Sequence, residues 1–320
     1  MKIVSVAHGW MPIPPKAWGA VESTLWNYKL LIEPLGHEFH IVNTRDFDEI
    51  EARVRALKPD FVHVRCERWF DLLERLQAPV KIISTHDGEI WSPSPEARAN
   101  RRHVYEQGFV RGTFAIHCLS ERIRDYFLSL GVDDRRMFVV PNGANGRLFR
   151  WTEAPPVISR SICLAQIHKR KRQTLLLGYP DLDFVGPIRD SDFPKRDPRY
   201  LGEWTKDEVH KRLTDYSNLV LLSESEGAPL VAYEAMMAGL GLVLSENAAD
   251  NLDSSRPFIT IIEESRTSDA DHVAGRISEN AVISRQMRRE IRQYAIEHFD
   301  VRRFVDLYLG HLTRLLAEAA

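Results

Sequence analysis

Residues 216–250, YSNLVLLSESEGAPLVAYEAMMAGLGLVLSENAAD, constrain the fold more than any other stretch of the chain. The apolar run from Leu219 to Leu222 is short enough for a buried strand. A polar turn follows at residues 223–227, and then Pro229. Leu230, Val231, Tyr233, Ala235, Met236, Met237 and Ala238 come next with helical spacing, and Gly239 stands where a helix ends. Residues 240–244 read as another strand. A strand, helix, strand unit of this kind belongs to a parallel sheet, and such sheets bind ligands at the carboxyl ends of their strands.

Two carboxylates frame the turn and its helix. Glu226 lies where the first strand ends, and Glu234 lies eight residues on, inside the helix. A helix starting near Pro229 aims its free N–H groups at whatever lies above the strands, which suits a phosphate. A carboxylate one turn in can accept two hydroxyl hydrogen bonds, which suits a sugar diol. Taken singly, either glutamate also reads as a loop charge or a solvated helix residue.

The string EGAPLVAYEAMMAG resembles the Glu-x7-Glu motif of retaining GT-B glycosyltransferases of the family 4 group. Glu226, Gly227, Ala228, Pro229, Leu230 and Glu234 match it position by position. The resemblance implies that Glu234 binds the ribose of a nucleotide and that Glu226 lies near the donor sugar. It also implies that the small residues between them place backbone N–H groups near the donor diphosphate. The fold it implies is α/β, a GT-B architecture of two Rossmann-like domains facing a cleft.

The rest of the chain is read against that expectation. Its 320 residues suffice for two domains. An apolar share of 44% with 28% charged residues is that of a soluble globular protein. A net charge of -2 gives no reason to expect a nucleic-acid partner. Cys66, Cys118 and Cys163 are scattered and fit a reducing cytosol better than a disulfide framework. The apolar run at the start is too short for a signal peptide, and no stretch approaches the ~20 apolar residues of a membrane span. The expected location is cytoplasmic, with peripheral contact to a membrane surface left open.

In the amino-terminal half, residues 2–7 read as a first strand and 8–20 as a loop rich in Pro and Gly. A helix starts near Val21, with Glu22 in its first turn, where negative charge suits the helix dipole. The passage PPKAWGAVE is similar to the family loop of two prolines followed by Gly-Gly-x-Glu. Gly19 is thereby a donor-binding candidate, while Ala20 replaces the second glycine. Residues 79–84 read as a fourth strand ending in Thr85-His86-Asp87-Gly88. His86 is then either a hydrogen-bonded loop residue or, by the resemblance, a catalytic candidate facing the donor sugar. Asp87 would orient it or touch the acceptor. The stretch 93–112 is basic and aromatic. Arg98, Arg101 and Arg102 read either as a solvated helix face or as an acceptor-side surface for an anionic glycan or acidic lipids.

Residues 150–156 have linker composition, which places the boundary between domains 1–152 and 153–300. The resemblance implies that 301–320 is a helix packing back on the first domain. After a strand at 161–167, the run His168-Lys169-Arg170-Lys171-Arg172 is either a solvated loop or a diphosphate holder. By resemblance Lys171 contacts the diphosphate, with Arg170 and Arg172 beside it. The family's Gly-Arg pair is Ala165-Gln166 here, and Gln166 can hydrogen-bond a phosphate without neutralising it. Further expectations are a helix starting at 174–178 and a capping box at Thr205 and Glu208. Residues 201–205 resemble a short family strand; by that resemblance Trp204 would stack on the base, whereas taken alone it reads as a simply packed ring. Helices are expected at 271–276 and 284–298. Three Asp-x-Asp strings begin at Asp46, Asp181 and Asp190. They arise easily by chance, so no essential metal and no cofactor are expected.

The expected function is transfer of a hexose-type sugar, with retention, from a nucleotide sugar to a glycan, lipid-linked or small-molecule acceptor. A UDP- or GDP-linked donor is expected ahead of an ADP-linked one. Two alternatives stand beside it. One is a non-catalytic GT-B protein that binds nucleotide sugar or glycan, motivated by Ala20, Ala165 and Gln166. The other is a GT-B epimerase acting on the nucleotide sugar itself.

Overall fold

The computed structural model describes residues 1–85, 90–92, 94–154 and 160–319. They divide into two compact units. The first comprises Met1–Pro15, Gly19–Asn142 and Val301–Ala320, and the second Lys16–Trp18 and Gly143–Asp300. Composition places a linker at 150–156, whereas the division by contacts falls at 142/143 and assigns Trp151 and Thr152 to the second unit.

The first unit is built on a six-stranded sheet of order β2-β1-β3-β4-β5-β6. Its strands are β1 (Lys2–Ala7), β2 (Glu38–Asn43), β3 (Phe61–Val64), β4 (Val80–Ser84), β5 (Ala115–Cys118) and β6 (Met137–Val139), all paired in parallel. Runs such as Ile3 to Ala7 and Phe61 to Val64 are buried throughout. Strands covered on both faces by helices carry such continuous apolar runs rather than an alternation. The helices are α1 (Ala20–Ile32), α2 (Phe47–Leu57), α3 (Phe70–Arg75), α4 (Pro95–Arg101) and α5 (Glu121–Ser129). Helix α4 continues as a π-helix over Arg102–Phe109. Asp46 caps α2 by accepting from the amides of Asp48 and Glu49, which is the structural use of the first Asp-x-Asp string.

The second unit holds a five-stranded parallel sheet of order β11-β10-β9-β7-β8. The strands are β7 (Ser161–Leu164), β8 (Leu182–Val185), β9 (Asn218–Leu221), β10 (Gly241–Ser245) and β11 (Ile259–Ile262). Helices α6 (Lys206–Arg212), α7 (Leu230–Met237), α8 (Ala270–Gln286) and α9 (Arg288–Phe299) belong to it. Helix α10 (Val301–Ala319) belongs to the first unit. Its Phe304, Val305, Tyr308, Leu312 and Leu315 recur at helical spacing and are buried.

Three local expectations are corrected. Residues Gln173–Leu176 form one 3₁₀ turn instead of opening an α-helix. Residues 201–205 form no strand, and the neighbouring contact to β8 is a single bridge between Phe184 and Tyr200. Helix α8 is continuous to Gln286, because Asn280 anchors its middle. The Asn280 amide donates to the carbonyls of Leu242 and Phe258 and to Thr260 Oγ1, at 3.0, 3.1 and 3.0 Å. The polar Ser278-Glu279-Asn280 passage looks like an interruption in the sequence, but one of its residues is a core hydrogen-bonding post. The same approach explains Gly241 in β10. A Cβ there would lie 1.8 Å from Ser284 Oγ of α8.

Candidate functional site

In the second sheet β7 lies between β8 and β9, so the chain leaves β7 and β9 towards opposite sides. The loops after those two strands meet at the point where open α/β sheets hold their ligands. The β7 loop brings His168 to Arg172, and the β9 loop brings Ser223 to Pro229. The Glu224 amide donates to the Arg170 carbonyl at 2.8 Å, and Arg170 donates to the Ser225 carbonyl. Lys171 makes a direct ion pair with Glu226, and Arg170 Nη1 stands 3.9 Å from the same carboxylate. The Glu226 amide is tied to the Asn247 carbonyl at 2.9 Å, which attaches the loop after β10. Arg172, at φ 55°, reaches sideways to Glu264 at 2.8 Å and attaches the loop after β11.

Burial sets the electrostatics. It would raise the Glu226 carboxyl, but Lys171 and Arg170 outweigh it and hold that carboxyl below the usual range. Burial lowers the Lys171 ammonium, against the opposing pull of Glu226. A buried pair of this kind gains little net stability, because desolvation offsets attraction. What it does keep in place is a pair of charges at the mouth of a sheet.

Glu234 forms the second focus. Helix α7 is apolar almost all round and sits inside the unit; Ala232, Tyr233, Ala235, Met236 and Met237 are fully buried. Pro229 occupies the N-cap position. Glu234 itself is 8% exposed, far from the solvated residue a lone helical glutamate suggests. Lys206 Nζ lies 3.1 Å from its Oε1. Lys206 is the first residue of α6, whose start is held by the predicted capping box of Thr205 and Glu208. One turn on, the half-buried His210 lies edge-on to Phe149 at 4.8 Å, with its imidazole lowered by burial although Glu234 pulls the other way.

Residues 28–146 match the family model described as Glycosyltransferase Family 4. No curated protein matches the chain. Among solved structures it is similar to sucrose-phosphate synthase of Thermosynechococcus elongatus, with TM-score 0.77 and 14% identity over 100% of both chains. It is also similar to Anabaena HepE in complex with UDP and glucose, with TM-score 0.73 and 15% identity over 98% of this chain and 100% of that one. A third is AviGT4, a glycosyltransferase involved in avilamycin A biosynthesis, with TM-score 0.67 and 15% identity over 99% and 98%. Both sheets, their order and these likenesses agree.

The fold is GT-B.

The matched segment ends before the Glu226 to Glu234 motif, so the reading of that motif rests on its own residues. In this GT-B chain the predicted site residues of the second unit divide into four groups. Arg170, Lys171 and Glu226 are gathered into one cluster, with Gly227, Ala228, Pro229 and Leu230 buried directly after it. Glu234 lies one turn into α7, with Lys206 as its partner. Arg172 is drawn off to Glu264. The carbonyl of Gln166 accepts from Gln173 Nε2 at 2.9 Å, and Gln173 Oε1 accepts from the His168 amide at 3.2 Å. Gln173, itself 3% exposed, thus braces the whole β7 loop from within.

In the first unit Gly19 precedes α1 at φ 130°, and a Cβ there would lie 2.9 Å from Glu22 Oε2. Gly19 therefore gives room to the buried Glu22 carboxylate, which burial pushes up. His86 and Asp87 lie outside the described residues. Arg98 and Arg102 are exposed, whereas Arg101 turns in to donate to the Ile90 carbonyl. A cavity of about 570 Å³ in this unit, lined by Ile13, Trp26, Ile41 and Leu57 among others, contains none of the predicted site residues.

Of the two readings of Trp204, stacking on a base or plain packing, the structure shows packing. The ring is 4% exposed, with the Arg212 guanidinium over it at 4.1 Å and Tyr216 at 6.2 Å. No face is left for a ligand. The remaining Asp-x-Asp strings also have structural uses. Asp183 binds Arg160 and accepts from the Tyr216 hydroxyl at 2.9 Å, and Asp190 accepts from the Asp192 amide at 3.0 Å.

Sequence reasoning missed Lys206, His210 and Gln173. The capping box announced the start of α6, but nothing local shows that its first residue meets a glutamate 28 positions later.

Proposed function

We propose that the chain is a glycosyltransferase of the retaining type that takes a hexose-type sugar from a nucleoside diphosphate sugar. The observation carrying this reading is the convergence of Arg170, Lys171 and Glu226 between the ends of β7 and β9, with Glu234 one turn into the helix that follows. Lys171 and Arg170 would neutralise the departing diphosphate, as paired cations in a partly dry site do well. Glu226, held ionised, would lie by the donor sugar, and Glu234 would accept from the ribose hydroxyls. The charge of the leaving group is answered by side chains, so this reading requires no metal. A UDP- or GDP-linked donor is expected, and the acceptor is a glycan, a lipid-linked sugar or a small molecule. The family match of residues 28–146 and the likeness to HepE in complex with UDP and glucose support a nucleotide-sugar donor.

A thermal-shift screen with UDP, GDP, ADP and their glucose or mannose conjugates tests it. A ligand at a hundredfold excess over its Kd raises stability by about 2.7 kcal/mol. A shift with one nucleotide, abolished by Glu234→Ala, followed by NMR detection of an α-linked product from an α-linked donor, is the expected result. The absence of any shift would sink the reading.

A second reading is favoured by Gln166, which stands where the family carries an arginine. It is a GT-B protein that binds the donor without turning it over. Binding without transfer or hydrolysis over long incubation distinguishes it. Conversion of the donor with no acceptor present would point instead to an epimerase.

A further inference from the structure

Glu234 is expected to accept from ribose hydroxyls, yet one of its oxygens is already occupied by an ammonium. We infer that Lys206 and Glu234 act together as a reader of the ribose diol, and that Lys206 sets the preference for ribo- over 2′-deoxyribonucleotides. The inference rests on the donor-site reading above and adds a residue that no motif in the chain announced.

The geometry supports a ligand-facing pair. Lys206 Nζ sits 3.1 Å from Glu234 Oε1, and the two side chains are 21% and 11% exposed. They are sheltered enough to interact strongly and open enough for a ligand to reach. An ammonium has three donors, of which Glu234 takes one. A carboxylate offers about four acceptor sites, of which Lys206 takes one. Each ribose hydroxyl is both donor and acceptor. Beside such a pair, it can donate to the carboxylate and accept from the ammonium in one arrangement. A lone carboxylate can only accept, so it leaves the hydroxyl oxygens without a donor.

The pair is also held in place from both sides. Lys206 is the first residue of α6, where Thr205 Oγ1 accepts from the Glu208 amide and Glu208 answers to the Thr205 amide at 2.9 Å. The Lys206 amide itself donates to the Lys16 carbonyl at 3.0 Å. Glu234 rides on the buried helix α7. His210, one turn after Lys206, lies near enough for the Glu234 charge to act on its imidazole. A surface lysine forming an incidental contact would lack this anchoring. A site built to hydrogen-bond a hydroxyl also discriminates strongly against the analogue that lacks it, because its polar groups are then left unpaired.

The test is calorimetric titration of the full chain with UDP, GDP and ADP, and then with the 2′-deoxy form of the tightest binder. The wild type is expected to favour the ribonucleotide by about tenfold, the effect of one charge-assisted hydrogen bond. Lys206→Met should weaken the ribonucleotide by about the same factor, leave the deoxynucleotide unchanged, and so nearly erase the preference. Lys206→Arg, which keeps charge and donors, should retain part of it. Thermal unfolding of each variant separates misfolding from a binding effect. Equal weakening of both nucleotides in Lys206→Met, or an unchanged preference, overturns the role of Lys206 alone. Failure of the wild type to bind any of the three overturns the donor-site reading itself.

Discussion

Each unit places cations at the carboxyl ends of its parallel strands, and the two treat them in opposite ways. In the first unit Arg65, just after β3, is 1% exposed. Its Nε donates to Ser5 Oγ at 3.1 Å, and its guanidinium lies between the Tyr28 and Tyr308 rings at 5.6 Å from each. Around it, His63 Nδ1 bonds Tyr308 Oη at 2.8 Å and His63 Nε2 bonds Ser84 Oγ at 2.7 Å. Ser84 Oγ also meets His117 Nδ1 at 2.9 Å, and His117 Nε2 donates to the Val140 carbonyl at 2.8 Å. Every member of this network is buried, so it is sealed from solvent. In the second unit Lys171 and Lys206 face carboxylates and remain 15% and 21% exposed. A sealed network specifies a fold by leaving its members no alternative partner. An accessible ion pair can exchange partners with an incoming anion or diol. The difference teaches that position at a strand end alone does not make a charged group available to a ligand; it must also be reachable.

The largest expected effect falls on the open cluster. Lys171→Met should raise the Kd for the nucleoside diphosphate by about a hundredfold, since a buried phosphate partner is worth about 3 kcal/mol. Calorimetry showing less than a threefold change would break the contrast, because the cluster would then be as structural as the Arg65 network.

Next comes the pH response of the sealed network. Burial, with help from Arg65 and His311, lowers the His117 imidazole from 6.5 to about 3. Its folded value is depressed, so its contribution is complete above pH 6.5 and is lost as pH falls towards 3. About 2 kcal/mol should disappear between pH 7 and pH 5. Urea unfolding at the two pH values checks this, and His117→Gln should flatten the slope. An equally steep slope in the variant would place the acid sensitivity elsewhere.

Tyr308→Phe deletes the hydroxyl that His63 meets and ties α10 to the strand ends. It should cost about 1–2 kcal/mol of stability while leaving nucleotide affinity unchanged. A loss of affinity would show that the sealed network communicates with a ligand. The smallest effect is expected from Thr205→Ala, which removes the cap of α6 and should cost about 1 kcal/mol. If Lys206 depends on that cap for its aim, ribonucleotide affinity should fall with it, by less than in Lys206→Met.

The α/β class was legible from short apolar runs and from a helix ended by a glycine, and the GT-B architecture from the resemblance of one glutamate-framed helix to a known motif. Such features are local: a buried parallel strand needs a run of apolar residues, and a helix end needs a residue tolerant of positive φ, as Gly239 at 86° shows. Legibility failed where a residue type had two uses. Trp204 left stacking and packing open and is packed under Arg212. The break expected between helices at 276 and 284 is absent, and Asn280 within it is a buried anchor whose amide donates to the Leu242 and Phe258 carbonyls and to Thr260 Oγ1.

The sequence by itself determined which residues have the chemistry for a donor site: the two glutamates eight positions apart and the basic run at 168–172. Only the tertiary structure decided how those charges are divided. Lys171 goes to Glu226, Arg172 to Glu264 and Lys206 to Glu234, across separations of 55, 92 and 28 residues. Local patterning specifies the helix or strand a residue occupies and the direction its side chain takes. Pairing between charges depends on which loops the strand order brings together, and that order is written in no single stretch of the chain.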